Sequence, residues 1–236
     1  MMLPKGILFD LDDTIIAYSP VAEPTWRRIC VEYANRNGSI NPDKLFQGIR
    51  QVSNWYWSDK ERHKNGRRDL NIARRLIVGL AFKELDINDL SIAWEIADAF
   101  SSQREEEIYL FEKAEETLEY LIAQNISLAL MTNGEAQKQR HKIRRFNLER
   151  FFKSILIEGE MGFGKPEEEV YKRALNELGF GPEDVWAVGD NLEWDVGAPQ
   201  KMGIFGIWND FSKQGLPPSS DIIPDRIIHA ISELVE

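Results

Sequence analysis

The pattern of apolar and polar positions begins with a short apolar run, residues 6–9, that is followed at once by Asp10, Asp12, Asp13 and Thr14. An apolar run bounded by polar residues predicts a buried strand. The carboxylates then emerge at the carboxyl end of the strand, the edge at which open α/β sheets bind ligands. Crowded carboxylates repel one another unless a divalent cation, a shifted pKa or a basic partner compensates. This segment alone leaves open whether it forms a ligand site or a strand end with an Asx turn.

The rest of the chain divides into a helical stretch and an alternating stretch. Between residues 19 and 107 the spacing and capping signals predict helices at 24–35, 42–57, 69–85 and 89–107. Beyond them, strands at 126–131, 154–157, 185–188 and 204–207 alternate with helices at 114–124, 135–146, 166–178, 192–202 and 225–235. A loose loop is predicted at 214–224, which is rich in Pro and Ser.

This order predicts an α/β fold, a doubly wound parallel sheet with an inserted α-helical cap domain. The α/β core is expected over residues 1–18 and 108–236, and the cap over residues 19–107. The cap contains neighbouring aromatic and basic residues, which are typical both of helix packing and of the wall of a ligand pocket. We expect the cap to hold the specificity determinants.

Composition narrows the class of protein. The chain has 236 residues and a formal net charge of -10, which argues against a general binder of nucleic acid or of anionic membranes. No apolar stretch is long enough to span a bilayer, and the first residues lack the pattern of a secretory signal. The lone Cys30 excludes an intrachain disulfide and favours the reducing cytoplasm. Oligomeric state is left open by these features.

Polar residues also follow later segments of the alternating pattern. Thr132 and Asn133 follow the strand at 126–131, Asp190 and Asp195 follow the strand at 185–188, and Lys165 precedes a helix. The ends of parallel strands share one edge, so Asp10, Asp12, Thr132, Lys165, Asp190 and Asp195 are expected to converge on one pocket.

With these residues in this order, the chain resembles the haloacid dehalogenase superfamily. Four motifs carry the resemblance: Asp10-Leu11-Asp12-Asp13-Thr14, Thr132 at a strand end, Lys165, and Gly189-Asp190 with Asp195. The position of the helical insert, between the first and second motifs, also fits that family. Asp13 stands where many relatives have Gly, and we interpret it as a turn former.

The resemblance implies a phosphatase with an aspartyl-phosphate intermediate. Asp10 is then the nucleophile and Asp12 the acid that protonates the leaving alcohol and afterwards activates water. Mg²⁺ is expected on the carboxylates of Asp10 and Asp190 and the main-chain carbonyl of Asp12.

The same resemblance assigns roles to the remaining motif residues. Thr132 and the backbone amide of Asn133 are expected to bind phosphoryl oxygens, and Lys165 to neutralise charge. Asp195 is expected to orient its neighbours rather than to bind the ion itself.

Several functions remain as alternatives. The expected substrate is a small phosphorylated metabolite, with no nucleic acid or membrane partner. A phosphosugar mutase of the same superfamily also uses two aspartates, whereas a dehalogenase lacks the second acid, which is present here as Asp12. A phospho-accepting signalling receiver predicts its acceptor on a middle strand and no insert after the first strand. A binding protein without catalysis is disfavoured by the complete set of motifs.

Overall fold

The computed structural model describes residues 3–37 and 40–235, and its central feature is a parallel sheet. Residues 1, 2, 38, 39 and 236, which the predicted domain bounds include, lie outside the described residues. The strands, in chain order, are β1 (Gly6–Phe9), β2 (Ile16–Ala17), β3 (Tyr109–Leu110), β4 (Ser127–Thr132), β5 (Ser154–Ile157), β6 (Val185–Gly189), β7 (Phe205–Asn209) and β8 (Arg226–Ile228).

The order of strands in the six-stranded sheet of the described residues is β5-β4-β1-β6-β7-β8, and every neighbouring pair is parallel. The chain therefore winds outward from β1 to β5 on one side, returns, and winds outward from β6 to β8 on the other. The prediction of a doubly wound α/β sheet is confirmed. The winding direction reverses between β1 and β6, and such a switch point opens a crevice at the carboxyl ends of the strands.

The helices, in chain order, are α1 (Ala22–Asn37), α2 (Pro42–Ser58), α3 (Lys60–Gly66), α4 (Leu70–Glu84), α5 (Leu90–Glu107), α6 (Ala114–Ala123), α7 (Ala136–Arg145), α8 (Glu158–Met161), α9 (Glu168–Leu178) and α10 (Ala198–Gln200). Asp69 and Asp89 cap α4 and α5 with side chains that accept hydrogen bonds from the first-turn amides. These caps explain why the two helices begin where the sequence predicts.

Contacts between residues divide the chain into two units. The α/β unit runs as far as Ala17 and resumes at Tyr109, and the helical unit spans Tyr18–Ile108. The role of the helical unit as a cap over a substrate stays a prediction. No helix of the described residues combines the length and the apolar character that a bilayer crossing requires.

The helical unit is held together by an apolar core of its own. In α2, Leu45, Ile49 and Val52 are buried at a spacing of three to four residues, so one stripe of the helix faces the other helices. Phe82 of α4 and Ala97 of α5 lie in the same cluster and are fully buried. Burial of this kind, rather than the surface charges, supplies most of the free energy that stabilises the unit.

The last predicted helix, 225–235, is wrong. Residues Arg226–Ile228 form β8 beside β7, and Ile231–Val235 form a 3-10 turn. The carboxylate of Asp225 accepts a hydrogen bond from the Gly206 amide at 2.7 Å, and the Asp225 amide donates to the Gly206 carbonyl. This long-range pairing draws the chain into the extended form, and local periodicity does not report it.

Smaller features also differ from the expectation, among them the four-residue helix α8, which was not predicted. The predicted helix 192–202 is a π-helical turn, Leu192–Gly197, followed by the short α10. Helix α3 was not predicted, and neither was the antiparallel pair of β2 and β3, whose two-residue strands are too short for a periodic signal. The loop at 214–224 is irregular, as expected.

Candidate active site

The switch point of the sheet places two aspartates side by side. Asp10 follows β1 and Asp190 follows β6, and these strands are paired in register from Gly6 opposite Val185. The Asp10 amide donates a hydrogen bond to the Val188 carbonyl at 2.9 Å, which fixes the backbone where the strand ends. Both carboxylates therefore lie at the ends of the two middle strands of the sheet.

Lys165 connects the first motif to the last. Its Nζ lies 2.6 Å from Oδ1 of Asp10 and 2.7 Å from Oδ1 of Asp195, and its side chain is 2% exposed. Burial opposes the charged ammonium, but the charges of Asp10 and Asp195 prevail and raise the pKa of Lys165. The lysine therefore stays protonated between two carboxylates.

For Asp10, burial has a larger effect on the pKa than the neighbouring charges do. Loss of solvent raises the pKa of Asp10 from 3.8 to about 7, with the Asp195 charge adding to the rise and Lys165 opposing it. Thr14 supports this carboxylate through a hydrogen bond from its Oγ1 to Oδ2 of Asp10 at 3.2 Å. Asp10 is thus an oriented carboxylate with high proton affinity in a nearly dry position.

Asp195 is held by the turn that follows β6. Its Oδ2 accepts a hydrogen bond from the Asn191 amide at 3.0 Å, and Asn191 caps the turn by accepting from the amides of Glu193 and Trp194. A Cβ at Gly189 would lie 2.2 Å from the carboxyl carbon of Asp195. Glycine at position 189 is therefore required for the carboxylate to reach Lys165.

One carboxylate oxygen from each of Asp10, Asp190 and Asp195 lies within 4.8 Å of the other two. Asp195 already uses one oxygen for Lys165 and the other for the Asn191 amide. Among the described residues, none donates a hydrogen bond to the Asp190 carboxylate. Burial, together with the charges of Asp10 and Asp195, raises its pKa well above the ordinary value.

This donor set fits a hard divalent cation, because carboxylate oxygens are the ligands that Mg²⁺ prefers and the ion would relieve the repulsion. The Asp190 carboxylate accepts no hydrogen bond from the described residues, whereas both oxygens of Asp195 already accept hydrogen bonds, from Lys165 and from the Asn191 amide. The geometry is therefore compatible with the predicted division of labour between these two acids, which stays a prediction.

The end of β4 forms a loop that is braced from the Lys165 segment. The Asn133 side chain donates to the Lys165 carbonyl at 2.7 Å and accepts from the Lys165 amide at 2.9 Å. The Gly134 amide donates to Oε2 of Glu158 at 3.0 Å, whereas no described residue accepts from the Asn133 amide. That N–H and the Thr132 hydroxyl are the groups predicted to bind phosphoryl oxygens.

Asp12 lies beyond the end of β1, where the chain has begun to turn. Asp13 adopts a left-handed conformation with φ of 64°, and its amide donates to the Ile16 carbonyl at 2.7 Å. Aspartate tolerates this conformation better than most residues, in agreement with its interpretation as a turn former. The Asp12 carboxylate is 24% exposed and contacts Gln139 and Lys142 of α7.

The structure thus brings Asp10, Asp190, Asp195 and Lys165 into one cluster, with Thr132 and Asn133 on the neighbouring strand end. Sequence reasoning missed the Asn133 side chain, Asn191, Glu158, Gln139 and Lys142 as members of this network. Asn191 offered a signal, since it lies four residues before Asp195 in the turn after the strand. The α7 pair offered only its spacing of three residues on one helical face.

The chain is similar to known phosphatases and hydrolases along nearly its whole length. It is 29% identical to a phosphoserine phosphatase of Thermus thermophilus, covering 98% of this chain and 97% of the relative. It is 28% identical to a glyceraldehyde 3-phosphate phosphatase of Pyrococcus furiosus, covering 98% of this chain and 92% of the relative.

Solved structures share the fold. The hydrolase YfnB from Bacillus subtilis, described as bound to magnesium, superposes with a TM-score of 0.74 at 23% identity, covering 99% of this chain and 97% of that one. The family model of haloacid dehalogenase-like hydrolases matches residues 4–203. With the four motifs on one sheet edge and this match over most of its length, the chain belongs to the haloacid dehalogenase-like hydrolase family.

Proposed function

We propose that this chain is a Mg²⁺-dependent cytoplasmic phosphatase that hydrolyses the phosphate monoester of a small metabolite. The observation that carries the proposal is the buried Lys165, which joins Asp10 to Asp195 beside Asp190 at the switch point of the sheet. Charged groups placed in a dry site are costly for stability, so their presence here favours a catalytic role.

In the first step, an oxygen of Asp10 attacks phosphorus and the bond from phosphorus to the leaving oxygen breaks. The 2.6 Å contact with Lys165 directs one oxygen of Asp10, and the ammonium offsets the charge that gathers around the phosphoryl group. Asp12 donates its proton to the leaving alcohol, and Asp10 carries the phosphoryl group as an acyl phosphate.

In the second step, water attacks the phosphorus and Asp12, now a carboxylate, takes a proton from that water. The bond from Asp10 to phosphorus breaks and inorganic phosphate is released. The partial exposure of Asp12 suits both transfers, because this carboxylate must meet the alcohol and then the water. The Thr132 hydroxyl and the Asn133 amide donate to phosphoryl oxygens throughout.

The carboxylates of Asp10 and Asp190, with the main-chain carbonyl of Asp12, are the proposed ligands of the ion. When bound, Mg²⁺ would supply positive charge that lets an anionic nucleophile approach an anionic substrate. Asp195 keeps Lys165 and the turn after β6 in place.

The substrate class rests on the relatives. Two proteins that align with almost the whole chain are named for phosphoserine and for glyceraldehyde 3-phosphate, both small phosphate monoesters. A mutase of the same superfamily remains the second candidate, because it also uses two aspartates in the positions of Asp10 and Asp12.

The test is release of inorganic phosphate from a panel of small phosphate monoesters, with Mg²⁺ and with EDTA. We expect release with Mg²⁺, loss of release in EDTA, and loss in Asp10→Asn. Asp43→Asn is the matched control because its side chain is 83% exposed in the helical unit. Turnover in Asp10→Asn at the level of the unaltered protein would remove Asp10 as nucleophile, and conversion of a sugar bisphosphate to an isomer would favour the mutase.

A further inference from the structure

Helix α7 turns two side chains inward although its sequence is strongly basic. Lys142 and Gln139 lie three residues apart on one face, and both are almost fully buried within the α/β unit. Arg144, on the same helix, is 71% exposed. The pattern separates one face that is solvated from one that is directed at the carboxyl edge of the sheet.

The Lys142 ammonium contacts both oxygens of the Asp12 carboxylate. Its Nζ lies 2.9 Å from Oδ1 and 2.8 Å from Oδ2 of Asp12. A cation that contacts both oxygens restricts rotation of the carboxylate more than a contact with a single oxygen does. Asp12 is partly exposed and water could satisfy it, so its own solvation does not require a buried lysine.

Gln139 joins Asp12 to the phosphate-binding strand end. Its Nε2 donates to Oδ2 of Asp12 at 3.0 Å and to Oγ1 of Thr132 at 2.5 Å. The amide nitrogen carries two hydrogens, one for each acceptor. Because the Thr132 oxygen accepts from Gln139, its own proton points at other acceptors. It donates to the Asn133 carbonyl over a long 3.4 Å, a contact that a phosphoryl oxygen would replace.

We propose that Gln139 and Lys142 are positioning residues that fix the orientation of the Asp12 carboxylate and its position relative to the Thr132 hydroxyl. This inference rests on the proposed function, in which Asp12 exchanges protons with the leaving alcohol and water. When Asp12 gives up its proton it becomes negative, and Lys142 is placed to stabilise that developing charge. The pair thereby acts on proton transfer, with a smaller effect on phosphoryl binding through Thr132.

A comparison of leaving groups separates this role from a structural one. The p-nitrophenolate ion leaves without a proton, whereas an alkoxide needs one, and kcat/KM reports the first phosphoryl transfer. We expect Lys142→Met to lower kcat/KM for an alkyl phosphate by about 10- to 100-fold, because displacement of a proton donor by about 1 Å costs up to about 100-fold. For p-nitrophenyl phosphate the loss stays within about threefold, since that step does not need Asp12 as an acid.

A conservative variant, a surface control and a second α7 variant test the positioning role further. Lys142→Arg should recover part of the alkyl phosphate activity, and Lys172→Met, on an exposed lysine, should equal the unaltered protein. Gln139→Leu should lower kcat/KM for both phosphates and more for the alkyl one, and it carries the test if Lys142→Met does not fold. Equal losses for both phosphates in both variants, or no loss in either, would overturn the positioning role.

Failure of this inference is distinguishable from failure of the proposed function. If the unaltered protein releases no phosphate, or Asp10→Asn remains active, the phosphatase assignment is wrong and the inference falls with it. If the unaltered protein is active, Asp10→Asn is inactive, and the α7 variants keep the ratio between the two phosphates, only the positioning role is wrong.

Discussion

The most buried ion pairs of the α/β unit differ in exposure from the ion pairs described in the helical unit. In the α/β unit, Lys165 and Lys142 are buried and contact acids that lie more than a hundred residues away in the chain. In the helical unit, Arg75 and Asp98 join neighbouring helices by a 2.6 Å pair whose side chains are 43% and 45% exposed. Surface pairs contribute little to stability, whereas buried ones are costly unless their partners are in place.

The difference indicates where the sequence is free to vary. The helical unit depends on apolar packing around residues such as Phe82, and its exposed ion pairs are replaceable. The catalytic edge of the α/β unit depends on a small set of charges, each of which compensates another. A change of one buried charge therefore alters both stability and chemistry, while a change of a surface charge in the helical unit alters neither by much.

The largest expected effect is that of Lys165→Met. We expect phosphate release to fall by about 100- to 1000-fold, as when a group that stabilises transition-state charge is removed. In EDTA at pH 8 the free energy of unfolding should fall by about 3 to 5 kcal/mol, because two buried carboxylates lose their shared cation. Steady-state kinetics and urea denaturation measure the two effects.

The matched variant for that prediction is Arg75→Met, which removes a cation of the helical unit. Its pair with Asp98 is exposed, so the free energy of unfolding should change by less than about 1 kcal/mol. Phosphate release should stay at the level of the unaltered protein. If the two variants lose similar stability, the contrast between buried and exposed pairs is wrong for this protein.

A second prediction concerns the apolar core of the helical unit. Phe82→Ala removes a fully buried ring, and the free energy of unfolding should fall by about 3 to 5 kcal/mol because a cavity is left. Urea denaturation followed by tryptophan fluorescence measures it. Ile72→Ala is the control on the same helix, since Ile72 is 64% exposed. A loss as large in Ile72→Ala would show that packing does not distinguish the two faces of α4.

Features that depend on local pattern were predictable. The central strands are short apolar runs, and the start of α5 was found because Asp89 has the right side chain to cap a helix. The final segment failed, since the extended form of Arg226–Ile228 depends on pairing with β7. The sequence of that segment is compatible with a helix, and only the neighbouring strand decides against it.

For the candidate site, the same division holds. Asp10, Asp190 and Lys165 were placed at one edge because strand ends and a strand–helix rhythm locate them. The role of Lys142 could not be predicted, because a basic residue on a basic helix is typical of a solvated face. Its contact with Asp12 spans 130 positions of the sequence, and no local spacing encodes such a partner.

The smallest expected effect links pH to the ion. Since burial raises the pKa of Asp10 to about 7, the folded protein without metal binds more protons than the unfolded chain between pH 3.8 and about 7. Its free energy of unfolding therefore falls, through this group, as pH rises across that window. Mg²⁺ must displace the proton below about pH 7, so its affinity should drop by about tenfold per pH unit for each proton displaced.

Thermal unfolding with Mg²⁺ and with EDTA measures this linkage at pH 8 and pH 5.5. An ion concentration of about 100 times Kd at pH 8 stabilises by about 2.7 kcal/mol, and the same concentration at pH 5.5 by about 1 kcal/mol. The Mg²⁺-dependent rise in Tm should thus be larger at pH 8, and Asp190→Asn should abolish it at both values. Asp98→Asn should keep the full response, because that acid belongs to the helical unit and pairs with Arg75 at the surface. An equal rise in Tm at both pH values would mean that the carboxyl cluster gives up no proton to the ion, and the buried acids would then differ less from the exposed ones than the structure indicates.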